Sequence, residues 1–215
     1  ALASFPGSGN TWLRHMIQQV TGIATGSIFN DSSIYNHGFP GEGYRDDTVI
    51  VIKTHKLGLK ERKKYQKAVV LIRDPLDAIR SNFNVKGRGH LSHAPYSAYR
   101  KRYSEGNLDR TATLACYSIS NYWPTFTRQR AIAWYMFYLD WLEFKGPLHV
   151  IQYEKLRNDT AHEMQKLLRF LAVPYTQSNM SCMLRNREGD FKRKAVKKLK
   201  PFQRFSSNMT KLIES

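Results

Sequence analysis

The residues best suited to chemistry fall in three short segments. The first is Ser4-Phe5-Pro6-Gly7-Ser8-Gly9-Asn10-Thr11-Trp12. Glycines at 7 and 9 let backbone N–H groups turn inward around an anion, and the N-terminus of a following helix adds about half a positive charge. Ser8, Asn10 and Thr11 can add side-chain donors, so the chemistry is the gripping of a phosphate. Taken alone, the segment also fits an ordinary strand–helix turn. It is not a nucleotide-hydrolase loop, because Asn10 stands after Gly9 where G-x-x-x-x-G-K-[ST] needs lysine. Without that lysine, magnesium-dependent phosphoryl transfer loses its main charge contact.

The second segment is Val51-Ile52-Lys53-Thr54-His55. Lys53 and His55, two apart at a strand end, would point to one side, as an oxyanion stabiliser and a general base. The third runs from Arg73-Asp74-Pro75 to Ser81. Arg73 closes a strand, and the Ser81 hydroxyl can share an anion with it; a bidentate guanidinium suits a second phosphate. Each segment has a plainer reading, a locally bonded histidine in one case and an Arg73 pair with Asp74 or Asp77 in the other.

These residues need strands to carry them. Residues 1–5, Val49–Ile52, Val69–Ile72 and Leu148–Ile151 read as short apolar strands. Between them lie helical patterns over Thr11 to Val20, from Pro75 through Phe83, over Arg128 to Phe144 and over 160–171. Strand–helix alternation predicts α/β architecture with a central parallel sheet flanked by helices. In such sheets, ligands sit beyond the carboxyl ends of the strands. The 215 residues suit one domain. Residues 22–47 and 86–110 read as irregular surface or acceptor loops, and 186–200 as a basic loop. The aromatic row Trp134, Tyr135, Phe137, Tyr138, Trp141 reads as core, and His90 and His93 as solvated loop residues.

Lys and Arg number 34 against 17 acidic residues, a net charge of +17, which favours anionic partners without naming one. No stretch of about 18 or more apolar residues is present to span a bilayer. Cys116 and Cys182 are too few for a disulfide scaffold or a four-thiolate zinc site, though they can form one bridge. Asn-x-Ser/Thr sequons at Asn30, Asn158, Asn179 and Asn208 lean towards a secretory route.

The order of the motifs resembles the sulfotransferases that use 3′-phosphoadenosine-5′-phosphosulfate (PAPS): the glycine turn with Ser-Gly-x-Thr-Trp, then Lys-Thr-His, then Arg-x-Pro with a serine eight residues after the arginine. Trp134-Tyr135 with Trp141, then Gln152-Tyr153-Glu154-Lys155, and Gly189-Asp190-Phe191-Lys192 match later family stretches, so the resemblance covers nearly the whole chain. More narrowly, the opening and the Gly-Asp-Phe-Lys-Arg ending resemble the sulfotransferase domain of WSC-domain-containing proteins. That group is membrane-anchored in the Golgi and linked to sulfation of sialic acid.

The resemblance implies a P-loop-like three-layer fold and a sulfonyl transfer from PAPS to a glycan hydroxyl. Gly7, Ser8, Gly9, Asn10, Thr11 and Trp12 would hold the 5′-phosphosulfate. Arg73 and Ser81 would hold the 3′-phosphate, with Arg187, Lys192 and Arg193 as helpers. His55 would act as base and Lys53 as stabiliser of developing charge. No metal ion and no nucleic acid enter this scheme. An anchor upstream of Ala1 would place the domain in the Golgi lumen. Gly7 stands where cytosolic members carry lysine, and Arg14 is the candidate replacement. Ala131 falls where an adenine-stacking tyrosine is expected. Two other readings are a nucleotide kinase of similar fold and a non-catalytic module binding anionic glycan or nucleic acid.

Overall fold

The computed structural model describes residues 1–88, 93–94, 98–99, 123–191 and 205–214. Five strands form one sheet: β1 (Leu2–Ser4), β2 (Gly26–Ser27), β3 (Ile52–Thr54), β4 (Ala68–Ile72) and β5 (Leu148–Gln152). All neighbours pair in parallel, in the order β2-β3-β1-β4-β5. This order decides where the chemistry can be. The glycine turn leaves central β1, Lys53 and His55 come from β3 on one side, and Arg73 follows β4 on the other. Segments far apart in sequence thus meet at one carboxyl edge, where parallel sheets bind ligands.

Alternation along the strands feeds two cores, because successive side chains leave opposite faces of a sheet. Leu2, Val69, Leu71 and Ile151 face one cluster, with Leu13, Met16, Ile17 and Val20 of α1 (Asn10–Thr21). Helices α6 (Tyr153–Asn158), α7 (Thr160–Leu171) and α8 (Gln177–Arg185) complete that layer through Leu156, Met164, Leu167, Leu168, Met180 and Met183. Ala3, Phe5, Ala68 and Val70 face the other cluster, under α4 (Pro75–Arg88), α5 (Trp123–Leu142) and α9 (Ser207–Glu214). The expected three-layer fold is therefore present.

Several boundaries differ from the sequence reading. The β-branched run 49–52 lies mostly ahead of its strand. Its backbone pairs with the approach to β2 instead, Ile50 N–H to Ala24 O at 3.0 Å and Gly26 N–H to Val51 O at 2.7 Å. The β1 ladder then starts at Lys53, opposite Leu2. Residues 22–47 are not merely a surface excursion. They supply β2, the short α2 (Ser32–Tyr35, capped by Asp31) and the buried Glu42. Helix α4 runs five residues beyond Phe83, and α5 begins at Trp123 rather than Arg128. Of the aromatic row, Phe137, Tyr138 and Trp141 are buried and Trp134 is half-buried, but Tyr135 is 58% exposed. The short α3 (Leu59–Arg62) follows β3; its Arg62 pairs with Asp140, and Lys64 just after it pairs with the buried Glu61. His90, Cys116, Lys192 and Arg193 lie outside the described residues.

Candidate functional site

The turn after β1 works because of what its glycines leave out. Gly7 (φ 89°) and Gly9 (φ 93°) both take left-handed backbone. A Cβ on Gly7 would stand 2.4 Å from Ala78 O and 2.7 Å from Asn82 N, so the turn lies against α4. At Gly9 it would stand 2.7 Å from the Tyr153 ring. Gly9 caps α1 without a side-chain bond. The helical ladder begins with Leu13 N–H to Gly9 O at 3.0 Å. The N–H groups of Asn10, Thr11 and Trp12 therefore precede it and point out of the helix start, the arrangement that receives anions.

Two expected side-chain donors have other work. Ser8 is fully buried, and its hydroxyl lies 3.2 Å from the Tyr138 hydroxyl. Tyr138 donates to Leu71 O at 2.8 Å and accepts from Phe5 N–H at 3.3 Å. Burial raises its phenol pKa to about 12. Asn10 donates to Leu2 O at 3.1 Å and to Ser4 Oγ at 3.0 Å. Both side chains thus brace the turn against the sheet, and their part in anion binding is limited to backbone. Thr11 remains half-buried with no side-chain hydrogen bond among the described residues, so its hydroxyl can serve a ligand.

At the end of β3, Lys53 is only 5% exposed, and it makes no hydrogen bond or ion pair among the described residues. Its ammonium lies 5.5 Å from the centre of the Phe29 ring. Burial lowers its pKa to about 8, helped by the charge of Arg14 and opposed by Glu42 and Asp31. His55 Nδ1 is 2.6 Å from Ser4 O. A carbonyl can only accept, so Nδ1 carries a proton, which leaves Nε2 as the ring atom that would act as a base. The His55 ring packs 5.4 Å from Phe29, which walls both residues. Nothing in the spacing of residues 22–47 marked Phe29.

Arg73 stands on the other flank. Its Nη1 donates to Gly7 O at 3.0 Å, and its guanidinium lies 4.3 Å over the Tyr153 ring. Asp77 is 3.7 Å away, and Arg73 Nε is buried without a partner. Trp134 Nε1 donates to Arg73 O at 3.1 Å. Ser81 faces the same turn, its Cβ 3.2 Å from the position a Gly7 side chain would take. Tyr153, directly after β5, packs edge-on to Trp12 at 5.5 Å. Arg73, Tyr153 and Trp12 thus line the turn. Ala131 offers no ring and packs, half-buried, against the α5 core. The aromatic ring beside the turn is that of Tyr153, at the carboxyl end of β5.

Arg14 does not replace a loop lysine. It is fully buried, donating to Glu42 at 2.6 Å, Thr25 Oγ1 at 2.9 Å and Thr25 O at 2.9 Å, with Phe39 stacked 4.6 Å away. Its guanidinium is committed to holding α1 against residues 25–42. Arg187 accepts at its carbonyl from Trp12 Nε1 at 2.7 Å and donates to Thr160 at 3.1 Å. His15 meets Asn186 O at 2.9 Å, so the start of the basic segment docks on α1 beside Trp12.

A parallel sheet with an uncapped glycine turn after its central strand, flanked by a strand-end arginine and histidine, defines a P-loop-like anion-gripping domain. Residues 46–208 match the family described as sulfotransferase domain, and the chain belongs to that family. The glycine turn lies ahead of the matched range, so the geometry above adds to the match independently. The chain is 37% identical over 210 residues to WSCD family member CG9164 of Drosophila melanogaster, covering 97% of this chain and 61% of the relative. It is 34% identical over 215 residues to WSCD family member AAEL009094 of Aedes aegypti, covering 100% of this chain and 62% of that relative. It thus spans about three fifths of the relatives' length. Among solved structures, mouse sulfotransferase SULT7A1 complexed with PAP shares the fold. The TM-score is 0.53 at 20% identity, over 86% of this chain and 62% of that one.

Proposed function

We propose that this domain transfers the sulfonyl group of PAPS to an acceptor hydroxyl. The observation that carries the reading is the meeting of Arg73 with the glycine turn, 3.0 Å from Gly7 O, beside the uncapped start of α1. One ligand with two phosphate ends fits that pairing. The amides of Gly9 to Trp12 and the Thr11 hydroxyl receive the 5′ end. Arg73 and Ser81 receive the 3′-phosphate, with Arg187, Lys192 and Arg193 on the adjoining segment, and Tyr153 and Trp12 offer ring faces to the base. His55 Nε2 takes the proton from the acceptor hydroxyl as its oxygen attacks sulfur. The bond from sulfur to the phosphate oxygen breaks, and Lys53 balances charge building on the sulfonyl and bridging oxygens. General-base help of this kind is worth about 10²–10⁴-fold.

We further propose a glycan acceptor, with sialic acid as first choice, and a Golgi-lumen setting within a longer membrane-anchored protein. The similarity to WSCD proteins and the net charge of +17 support this. So do the sequon asparagines 30, 158, 179 and 208, all of which are exposed.

Thermal denaturation with PAP tests the core of the reading. PAP at a hundredfold over its Kd should stabilise the native state by about 2.7 kcal/mol. Arg73→Ala should shrink the shift, whereas His55→Ala should keep it and lose transfer. A folded protein with no PAP shift would refute the assignment, and full turnover in His55→Ala would move the base elsewhere.

A further inference from the structure

One half-buried cation near the site has no role in the chemistry above. Arg130 lies on α5 with Trp134 and Tyr138, at spacings of four and eight residues, hence on one helix face. Trp134 bonds the Arg73 carbonyl, and Tyr138 bonds Leu71 O and Ser8. Arg130 continues that stripe one turn further, its guanidinium 4.5 Å over the ring of Phe5, two residues before Gly7. It makes no hydrogen bond and no ion pair among the described residues, and its Nε is buried without a partner. Burial lowers its pKa to about 10.

The neighbouring helix face repeats the pattern. Asn82 and Lys86 stand one turn apart on α4, which packs against α5. The backbone N–H of Asn82 is, after Ala78 O, the second group that a Gly7 side chain would strike. Asn82 is 5% exposed, yet its amide oxygen has no partner. Lys86 is exposed, and its pKa is lowered first by partial desolvation and then by the charge of Arg130. Arg130 and Lys86 repel each other and have no carboxylate partner among the described residues, and the buried Asn82 amide oxygen beside them is unpartnered there as well; an anion joining them would relieve both.

The geometry points to an acceptor-recognition site: we propose that Arg130, with Lys86 and Asn82 beside it, binds an anionic group carried by the acceptor sugar. The inference rests on the sulfotransferase reading, because it takes the reacting hydroxyl to lie at His55. His55 is bonded to Ser4 O, and Arg130 covers the next residue, so both flank the same short piece of chain. An acidic sugar would then be held at one end by Arg130 and present a hydroxyl at the other. Carboxylate and sulfate ester share the chemistry the guanidinium reads, and separate probes tell them apart.

The test is ligand binding by saturation-transfer NMR in the presence of PAP, which does not depend on turnover. Two probe pairs are compared: the methyl glycoside of N-acetylneuraminic acid against its methyl ester, and methyl galactoside 6-sulfate against methyl galactoside. The wild type should bind the charged member of at least one pair about tenfold or more tightly, the worth of a charge-assisted hydrogen bond. Which pair shows the preference identifies the anion. Arg130→Met should erase the preference, and Arg130→Lys should keep part of it. The PAP-induced thermal shift should persist in Arg130→Met, and its melting temperature without ligand should equal or exceed that of the wild type. A structural role is refuted by that last result and supported by a fall.

Equal binding of charged and neutral probes, or of neither, by the wild type overturns the inference, as does a preference that survives Arg130→Met. Loss of the PAP shift in Arg130→Met alone would move Arg130 into the cofactor site and overturn it too. Absence of the shift in the wild type would instead strike the sulfotransferase reading.

Discussion

Lys53 is a cation the fold would be more stable without. Lys53 is 5% exposed, with no carboxylate bonded to it among the described residues, and its pKa falls from 10.5 to about 8. A shift of that size corresponds to about 3 kcal/mol against the charged form. The cost is present in full below pH 8, where both folded and unfolded chains hold the proton. Between pH 8 and 10.5 the unfolded chain holds more protons than the native one, so native stability rises with pH and the cost disappears. Met matches the length of the stem without the charge. Lys53→Met should therefore stabilise the unliganded protein at pH 7, by up to about 3 kcal/mol, or roughly 6–12 °C in Tm for a domain of this size.

Chemical denaturation of wild type and variant at pH 7 and pH 10 reads both parts of this expectation. The variant's advantage should be large at pH 7 and mostly gone at pH 10, while its sulfonyl transfer is lost. If the variant proves less stable at pH 7, or its advantage does not shrink with pH, the ammonium has a compensating partner and the reasoning fails.

Two further substitutions separate scaffold from site. Gly7→Ala places a Cβ 2.4 Å from Ala78 O at a φ of 89°, and should abolish the PAP shift even where far-ultraviolet circular dichroism shows a folded chain. Gly7→Lys, restoring the cation of cytosolic relatives, should do the same rather than raise activity, because the clash is with backbone. Arg14→Met leaves Glu42 buried and unpaired, and should cost about 3–5 kcal/mol by denaturant titration. The Arg14→Met, Glu42→Leu double variant should recover much of that loss. Unchanged PAP affinity in the double variant would confirm that this arginine holds the scaffold and not the cofactor.

The parallel sheet and the three chemical segments were legible because each left a local mark. Four apolar runs marked strands, two glycines marked the turn, and Lys53, His55 and Arg73 each followed a run. Side-chain direction was not legible. Ser8 and Asn10 have the right types to hold phosphate, yet in the folded chain they satisfy Tyr138 and the backbone of β1. Arg14 lies one turn into α1, but its partner Glu42 sits in a segment whose composition resembles an exposed loop. Phe29 is hidden for the same reason. Tyr153 stands in the sequence as part of a motif, and only the packing of Trp12, Gly9 and Arg73 around its ring puts it beside the turn.

The distribution of satisfied and unsatisfied charge carries the last step. Away from the carboxyl edge, buried or half-buried cations have acids: Arg14 with Glu42, Arg62 with Asp140, Lys166 with Glu163. At that edge Lys53 and Arg130 have none among the described residues, and Arg73, paired with Asp77 only at 3.7 Å, keeps a buried Nε unpartnered there. A fold that pairs its cations elsewhere could have placed carboxylates here as well, and would be more stable for it. Such pairing would fill the donors that a phosphate or sulfonyl group needs, and would repel a highly charged anion from the glycine turn. Concentrating unpaired positive charge at the mouth of the central strand lowers native stability, and ligand binding recovers that loss. Stability that rises on removing these cations, together with transfer that vanishes, is the signature that distinguishes a site from a merely basic surface.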